Sequence, residues 1–405
     1  MKNITIIGGG TAGWITALFL NKIFPKVKLT LIESKTIGTV NAGEGSTPNI
    51  NWLLKFLNID SFDFEKNTNA TKKVGVEFKN WRGDNTLYNH DFKTQNGNFK
   101  HAYHFDNFLI GEYFKNISIK RGVDYKTGDV VDFSGIQNIE KIKLKSGEII
   151  ETEFVFDCSG FSRLVIGNYY KTKWNSAKEY LKVNSAIPFL LDIDSNIKNN
   201  EFLRTGAATL NSGWMWSIPL KNRYGCGYVF DDSYIDESSA KNEIEKYLNK
   251  NISFGKKINF ESGYFEDSWV NNCIAIGLSS SFFEPLEATS IMLTILQLQM
   301  LISYGLNLEN RKKYNDNFRN LNRQILSFIR FHYICDRNDT PFWKDYTLTN
   351  LNDEVLKIKN ILNNDILKEN SLINIFNLEK DEPTIFANWQ YLLIHDGNTK
   401  KKDII

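Results

Sequence analysis

Two hydrophobic periods organise the chain. Asn3-Ile-Thr-Ile-Ile7 is a short apolar run of the buried-strand kind, and from Trp14 to Lys22 the apolar positions recur at helical spacing. Gly8, Gly9 and Gly10 between them predict a strand, a tight turn and a helix rather than a leader peptide. Val27-Lys-Leu-Thr-Leu-Ile32 predicts a second strand. Residues 140–235 read as β-rich, with apolar-polar segments at 141–145, 186–192 and 228–231. Over 291–331 apolar residues recur at three and four, which predicts two or three helices. The rest of the chain, to Trp389 and Gly397, is helical and polar.

The first turn carries a dinucleotide pattern. In Gly8-Gly-Gly-Thr-Ala-Gly13, Gly8 permits the tight turn, Gly10 lets the backbone approach a pyrophosphate, and Gly13 lets helix pack on strand. The second strand ends at Glu33, placed to accept from a ribose hydroxyl. The pattern itself does not choose between NAD and FAD. Val155-Phe-Asp-Cys-Ser-Gly160 and Cys273-Ile-Ala-Ile-Gly277-Leu278 are apolar strands ending at glycine, where ligands gather in a parallel sheet; either is equally an ordinary strand and turn. In Ser212-Gly-Trp-Met-Trp-Ser-Ile-Pro-Leu220 the two rings of Trp214 and Trp216 share a strand face, and Pro219 ends or edges that strand. Taken alone, this is a half-buried strand packing two large rings into a core.

Composition narrows the setting. A chain of 405 residues is long enough for two or three domain-sized units, or for one large α/β body with an appended subdomain. With 49 basic and 47 acidic side chains the net charge is +2, and no basic run occurs before Lys400-Lys401-Lys402, so neither nucleic acid nor a membrane surface is an expected partner. No span reaches the roughly 20 apolar residues of a membrane helix. Cys158, Cys226, Cys273 and Cys335 are widely spaced without a C-x-x-C, and are read as reduced and structural in a cytoplasmic protein. His90, His101 and His104 lack the ligand spacing and nearby cysteine of a zinc site, so no metal is expected; Asp106 is the expected cap of a following helix.

Together the fingerprint, the W-x-W-x-I-P run and Glu284-Pro-Leu-Glu-Ala-Thr-Ser290 resemble the flavin-dependent halogenases of the tryptophan-halogenase family. The resemblance spans most of residues 1–345, including Phe331-His-Tyr333 and Arg337-Asn-Asp-Thr-Pro-Phe-Trp343. It implies an α/β fold: a Rossmann-type FAD-binding domain of the flavin monooxygenase kind, with an inserted β-sheet substrate region and a C-terminal helical subdomain. The expected division is 1–335 for the FAD-binding core, with the insert at about 85–105 and 180–265, and 336–405 for the helical subdomain.

The same resemblance implies roles. Gly43 and Glu44, in Gly43-Glu-Gly-Ser-Thr-Pro48, would strap the flavin, and Asp157, Gly160, Gly277 and Leu278 would complete its site. Trp214, Trp216 and Pro219 would separate flavin from substrate. Lys73, rather than its neighbours Lys72 and Lys79, takes the position of the family's essential lysine, and Glu287 that of its carboxylate partner. Halide would bind the backbone amides of Thr289 and Ser290, where Ala288 and Ser290 depart from the family's E-S-T-G. His90 and Phe92 would line an indole site. The implied cofactors are FAD, supplied as FADH2 by a separate flavin reductase, and a halide ion; the implied partner is a small aromatic molecule held in a comparatively open site, with oligomerisation left open. A flavin monooxygenase or a non-catalytic flavin-binding relative remains the alternative.

Overall fold

The computed structural model describes residues 1–36, 44–93, 98–192, 202–379 and 382–399. Its first layer is a six-stranded sheet in the order Trp269–Val270, Cys273–Ala275, Phe154–Asp157, Asn3–Ile7, Lys28–Glu33, Asp124–Thr127, parallel throughout except for the Trp269–Val270 edge. The inner strands are apolar on both faces, one covered by helices and the other packed, through Ile7, Ile32 and Val155, against Ile142, Leu144 and Ile150 of a small separate sheet. Ile7 pairs with Ile32 on one side and Asp157 on the other, and Asp157 pairs with Ala275. This register brings Gly8, Glu33, Asp157 and Gly277 to one carboxyl edge, the ligand edge of a doubly wound sheet.

Helix Thr11–Ile23 follows the glycine turn, and helix Asn107–Lys120 is capped by Asp106, whose Oδ1 accepts from Phe108 N at 2.9 Å and Leu109 N at 3.3 Å. Helix Thr289–Tyr304 lies among the same core residues. By length and composition the segment Leu286–Tyr304 is apolar enough to cross a membrane, but 61% of its most apolar 18-residue stretch is buried inside the protein. Its hydrophobicity is that of a central core helix.

The second layer is a nine-stranded sheet that reaches beyond the expected insert. From one edge it runs Ile258–Asn259, Ser185–Asp192, Arg223–Phe230, Gly213–Pro219, Phe202–Leu210, Thr71–Lys79, Ala102–Phe105, Glu44–Gly45, with Leu87–Asp91 also paired to Thr71–Lys79. Strand Lys141–Leu144 stands apart, in a three-stranded sheet with Val130–Ser134 and Ile149–Glu151. One hydrophobic core joins the large sheet to helices Arg311–His332, Pro341–Thr347, Asp353–Asn364, Ser371–Phe376 and Asn388–Asn398, so the packing is continuous across residue 335.

Candidate active site

The dinucleotide edge is built for close backbone approach. Gly8 has φ +117°, and a Cβ there would lie 2.2 Å from Cys158 O; a Cβ on Gly13 would lie 1.9 Å from Gly8 O. Gly10 meets nothing within 4 Å, which leaves its side of the turn open. Glu33 faces this turn, with its Oε2 accepting from Tyr125 Oη at 2.6 Å and lying 3.7 Å from the Lys115 ammonium as an ion pair. Asp157 is engaged within its own turn: its carboxylate accepts from Ser159 N and Oγ and from Val165 N and Ile166 N. Gly160 N donates to Ser279 Oγ at 2.8 Å, tying this turn to the one at Gly277 and the half-exposed Leu278.

Gly43 lies outside the described residues. Glu44 begins the short strand that pairs with Phe105, and its Oε1 accepts from Asn107 Nδ2 at 3.1 Å. Its Oε2 and the nearby Thr47 Oγ1 are buried polar atoms without a hydrogen-bond partner. Burial pushes the Glu44 carboxyl up to about 7, against the Asn107 bond. Orphaned buried groups of this kind, beside an open glycine turn, fit a polar cofactor such as FAD.

Lys73 owes its position to a β-bulge. Leu203 pairs with Lys73 and Arg204 with Gly75, so Val74 is the extra residue, and the other edge of the strand changes partner at the same point. Strict alternation would put Lys73 on the side of the exposed Lys79; the bulge turns it instead to the face of Val76 and Phe78. Lys73 is fully buried while Lys72 is partly exposed. Its ammonium sits over the Phe92 ring at 5.4 Å, and a Cβ on Gly45 would lie 3.0 Å from Nζ. Burial lowers the Lys73 pKa to about 8, with the charge of Glu287 opposing the drop.

The wall beside Lys73 is uncharged. Thr71 donates its hydroxyl proton to Pro219 O at 2.7 Å and therefore accepts from His104 Nδ1, while Thr205 Oγ1 donates to His104 Nε2 at 2.9 Å. Burial, and then the Lys73 charge, hold His104 well below the usual imidazole range.

Glu287 and Ala288 are successive non-glycine residues in the left-handed region, at φ +62° and +56°. Such backbone costs on the order of 1–3 kcal/mol per residue and is kept where surrounding structure enforces it. Here the enforcement is direct: Glu287 Oε1 accepts from His90 Nδ1 at 2.7 Å and faces His332 Nε2 at 3.1 Å. Burial alone would push this carboxyl up, yet His90 and His332 hold it well below the usual carboxylate range.

His90 is tied to the glutamate through one of its ring nitrogens. Its Nδ1 serves Glu287 and its Nε2 accepts from Gln390 Nε2 at 2.8 Å, so both ring nitrogens are occupied and the buried ring orients a carboxylate. Phe92, half-buried, remains beside Lys73.

Trp214 and Trp216 share a face as expected, with centroids 6.4 Å apart at 61°, and the strand ends at Pro219. Trp214 Nε1 donates to Glu284 Oε1 at 3.2 Å, and Tyr333 Oη donates to both oxygens of that fully buried carboxyl. Opposite Trp216 stands Gly227, where a Cβ would fall 2.0 Å from the indole ring. Helix Thr289–Tyr304 begins just after Glu287 with no side-chain cap, so its first amides, Thr289 and Ser290 among them, present the positive end of the helix.

The sequence reading assigned nothing to Glu284, His104, Gly45, His332 or Gln390. The available signals were motif membership alone: Glu284 three residues before Glu287, His332 within Phe331-His-Tyr333 and Gly45 within the Gly43 to Pro48 segment. No group of metal-ligating side chains occurs among the described residues.

A Rossmann-type flavin edge joined to a sheet that buries a lysine, a histidine-held glutamate and paired tryptophans defines a flavin-dependent halogenase. The tryptophan halogenase family model matches residues 3–99 and 93–399, and the chain belongs to that family. It is similar to 7-chloro-L-tryptophan 6-halogenase KtzR of Kutzneria sp. (strain 744), at 27% identity over 84% of this chain and 81% of that one. The crystal structure of tryptophan 6-halogenase SttH from Streptomyces toxytricini superposes with a TM-score of 0.88 at 26% identity, over 97% of this chain and 89% of that one. Xcc4156, a flavin-dependent halogenase from Xanthomonas campestris, gives 0.84 at 26% identity over 98% and 94%.

Proposed function

We propose that this enzyme uses FADH2, dioxygen and halide to make hypohalous acid, which Lys73 directs onto an electron-rich aromatic substrate such as an indole. Reduced FAD, when bound, supplies the oxidation of halide by dioxygen. Gly8, Gly10, Gly13, Glu33, Glu44, Gly160, Gly277 and Leu278 would hold it. The single dinucleotide pattern, at Gly8 to Gly13, supports supply of FADH2 by a separate reductase.

The observation that carries this reading is the buried Lys73, lowered to about 8, in the field of the Glu287 carboxylate. A lysine at this value has both a hydrogen-bonding ammonium and a nucleophilic amine within reach near neutral pH. Glu287 accepts the proton that leaves the aromatic ring once the halogen has been added. Trp214, Trp216 and Pro219 act by exclusion, keeping substrate from the flavin. Thr289 and Ser290 offer amides to halide. The half-buried Phe92 and the part-exposed Trp389, whose ring lies 5.7 Å from that of His90, give aromatic faces for a planar substrate. A cytoplasmic setting fits four buried cysteines without disulfides.

The test is a mass-spectrometric screen of indoles and phenols with purified enzyme, a flavin reductase, FAD and chloride, bromide or iodide. A mass gain of one halogen that requires the halide supports the proposal. Halide-independent oxygenation would replace it with a monooxygenase reading.

A further inference from the structure

The two oxygens of Glu287 have different surroundings. Oε1 faces two imidazoles, whereas Oε2 accepts no hydrogen bond among the described residues. The proton inventory around Oε1 can be counted. Gln390 Oε1 accepts from Ala387 N at 2.7 Å, which turns the Gln390 amide nitrogen toward His90 and makes His90 Nε2 an acceptor. His90 thus carries its proton on Nδ1 and is satisfied as a neutral ring. His332 is placed otherwise. Its Nδ1 donates to Phe328 O at 2.8 Å, because a carbonyl can only accept. Its Nε2 lies 3.1 Å from a carboxylate oxygen, and a bare lone pair there would face another lone pair.

We infer that His332 is a positioning residue whose imidazolium donates to Glu287 Oε1, so that His332 fixes the charge and direction of the carboxylate while Oε2 is left for the substrate proton. His332 ends helix Arg311–His332, is fully buried, and packs against Phe78 and Phe328, which leaves its ring little freedom to turn away. The other groups acting on Glu287 are Lys73 and the Tyr88 hydroxyl on strands Thr71–Lys79 and Leu87–Asp91, His90 on the latter, and Gln390 through His90. Among these, Lys73 forms no ion pair with Glu287 among the described residues, so the direct charge partner is His332. The inference rests on the proposed function only in giving Oε2 to the substrate.

The experiment is nitrogen-15 NMR of the full chain labelled at its five histidines, compared with Glu287→Gln. At pH 7.5, wild-type His332 should show two protonated ring nitrogens and His90 one; in Glu287→Gln, His332 should lose the proton on Nε2. In parallel, His332→Gln, which keeps an N–H donor, should retain most halogenation, and His332→Phe should lose it by about 10- to 100-fold, the size of one charge-assisted hydrogen bond. A bare Nε2 on wild-type His332, or equal losses in the Gln and Phe variants, overturns the inference. An imidazolium in a protein that makes no halogenated product would support the inference and fault the proposed function instead.

Discussion

The indole N–H of Trp214 donates to the carboxyl of Glu284 at 3.2 Å, and that carboxyl is in turn gripped by Tyr333. Trp214 is thereby fixed by a polar anchor as well as by packing. Glu284→Leu should free the ring, so that halogenated product per FADH2 consumed falls several-fold while FAD binding persists. The check is product yield against hydrogen peroxide and free hypohalous acid released.

The same carboxyl makes a prediction about stability. Burial first, against the Tyr333 and Trp214 bonds, raises Glu284 from 4.5 to about 8. Between these values the folded protein holds a proton that the unfolded chain has lost, so stability falls as pH rises from about 4.5 to about 8. Glu284→Gln should flatten that fall, measured as Tm at pH 5 and pH 8. An unchanged difference between the two pH values would contradict it.

Gly227 gives the floor on which Trp216 lies. Gly227→Ala places a methyl group 2.0 Å from the ring in the present geometry, so the indole must move. Overpacking of this kind costs about 1–3 kcal/mol, which lowers Tm by roughly 1–4 °C in a chain of this size. The functional signature is greater escape of hypohalous acid relative to product.

The buried Lys73 makes a prediction about pH dependence. With its pKa lowered to about 8, halogenation should inflect near that pH, falling above it if the ammonium acts and rising toward it if the amine does. A profile without an inflection between pH 7 and 9 would contradict a role for the lysine in the rate-limiting step.

The outline of the fold was legible because its signals are local. The apolar strands, the glycine turn and the helical runs each lie within a few residues, and Asp106 capped its helix as its sequence position implied. Lys73 was legible only through the motif around it, since period-two reasoning puts it with Lys79; the Val74 bulge that reverses its side depends on pairing with strands far along the chain. The tie between His90 and Glu287 was hidden for a related reason. Its partners Glu287, Gln390 and Trp389 lie 197 to 300 residues away, and no local pattern announces a carboxylate held between two histidines. Glu284 stands in a motif legible in the sequence, yet its hold on Trp214 needs the fold.

A halide preference is expected from the proposed anion segment after Glu287. Ser290 adds a side chain beside the uncapped helix start and Ala288 removes a hydroxyl, which should cost the smaller, more strongly hydrated chloride most. Bromide should exceed chloride by about tenfold, which needs only about 1.4 kcal/mol in relative transition-state free energy. Competition between equimolar halides with an indole substrate, repeated in Ser290→Gly, measures it. Chloride winning in the parent contradicts the preference.

The central claim is that Lys73 acts after halide has been oxidised, carrying halogen to the ring. Its most direct measurement is Lys73→Ala assayed with FAD, a flavin reductase, bromide and an indole, following both brominated indole and free hypobromous acid. The account predicts loss of brominated indole by a factor of at least about 100, unchanged FAD binding, and continued hypobromous acid release, with Lys79→Ala close to wild type. Full bromination by Lys73→Ala, or loss of hypobromous acid together with product, would contradict it.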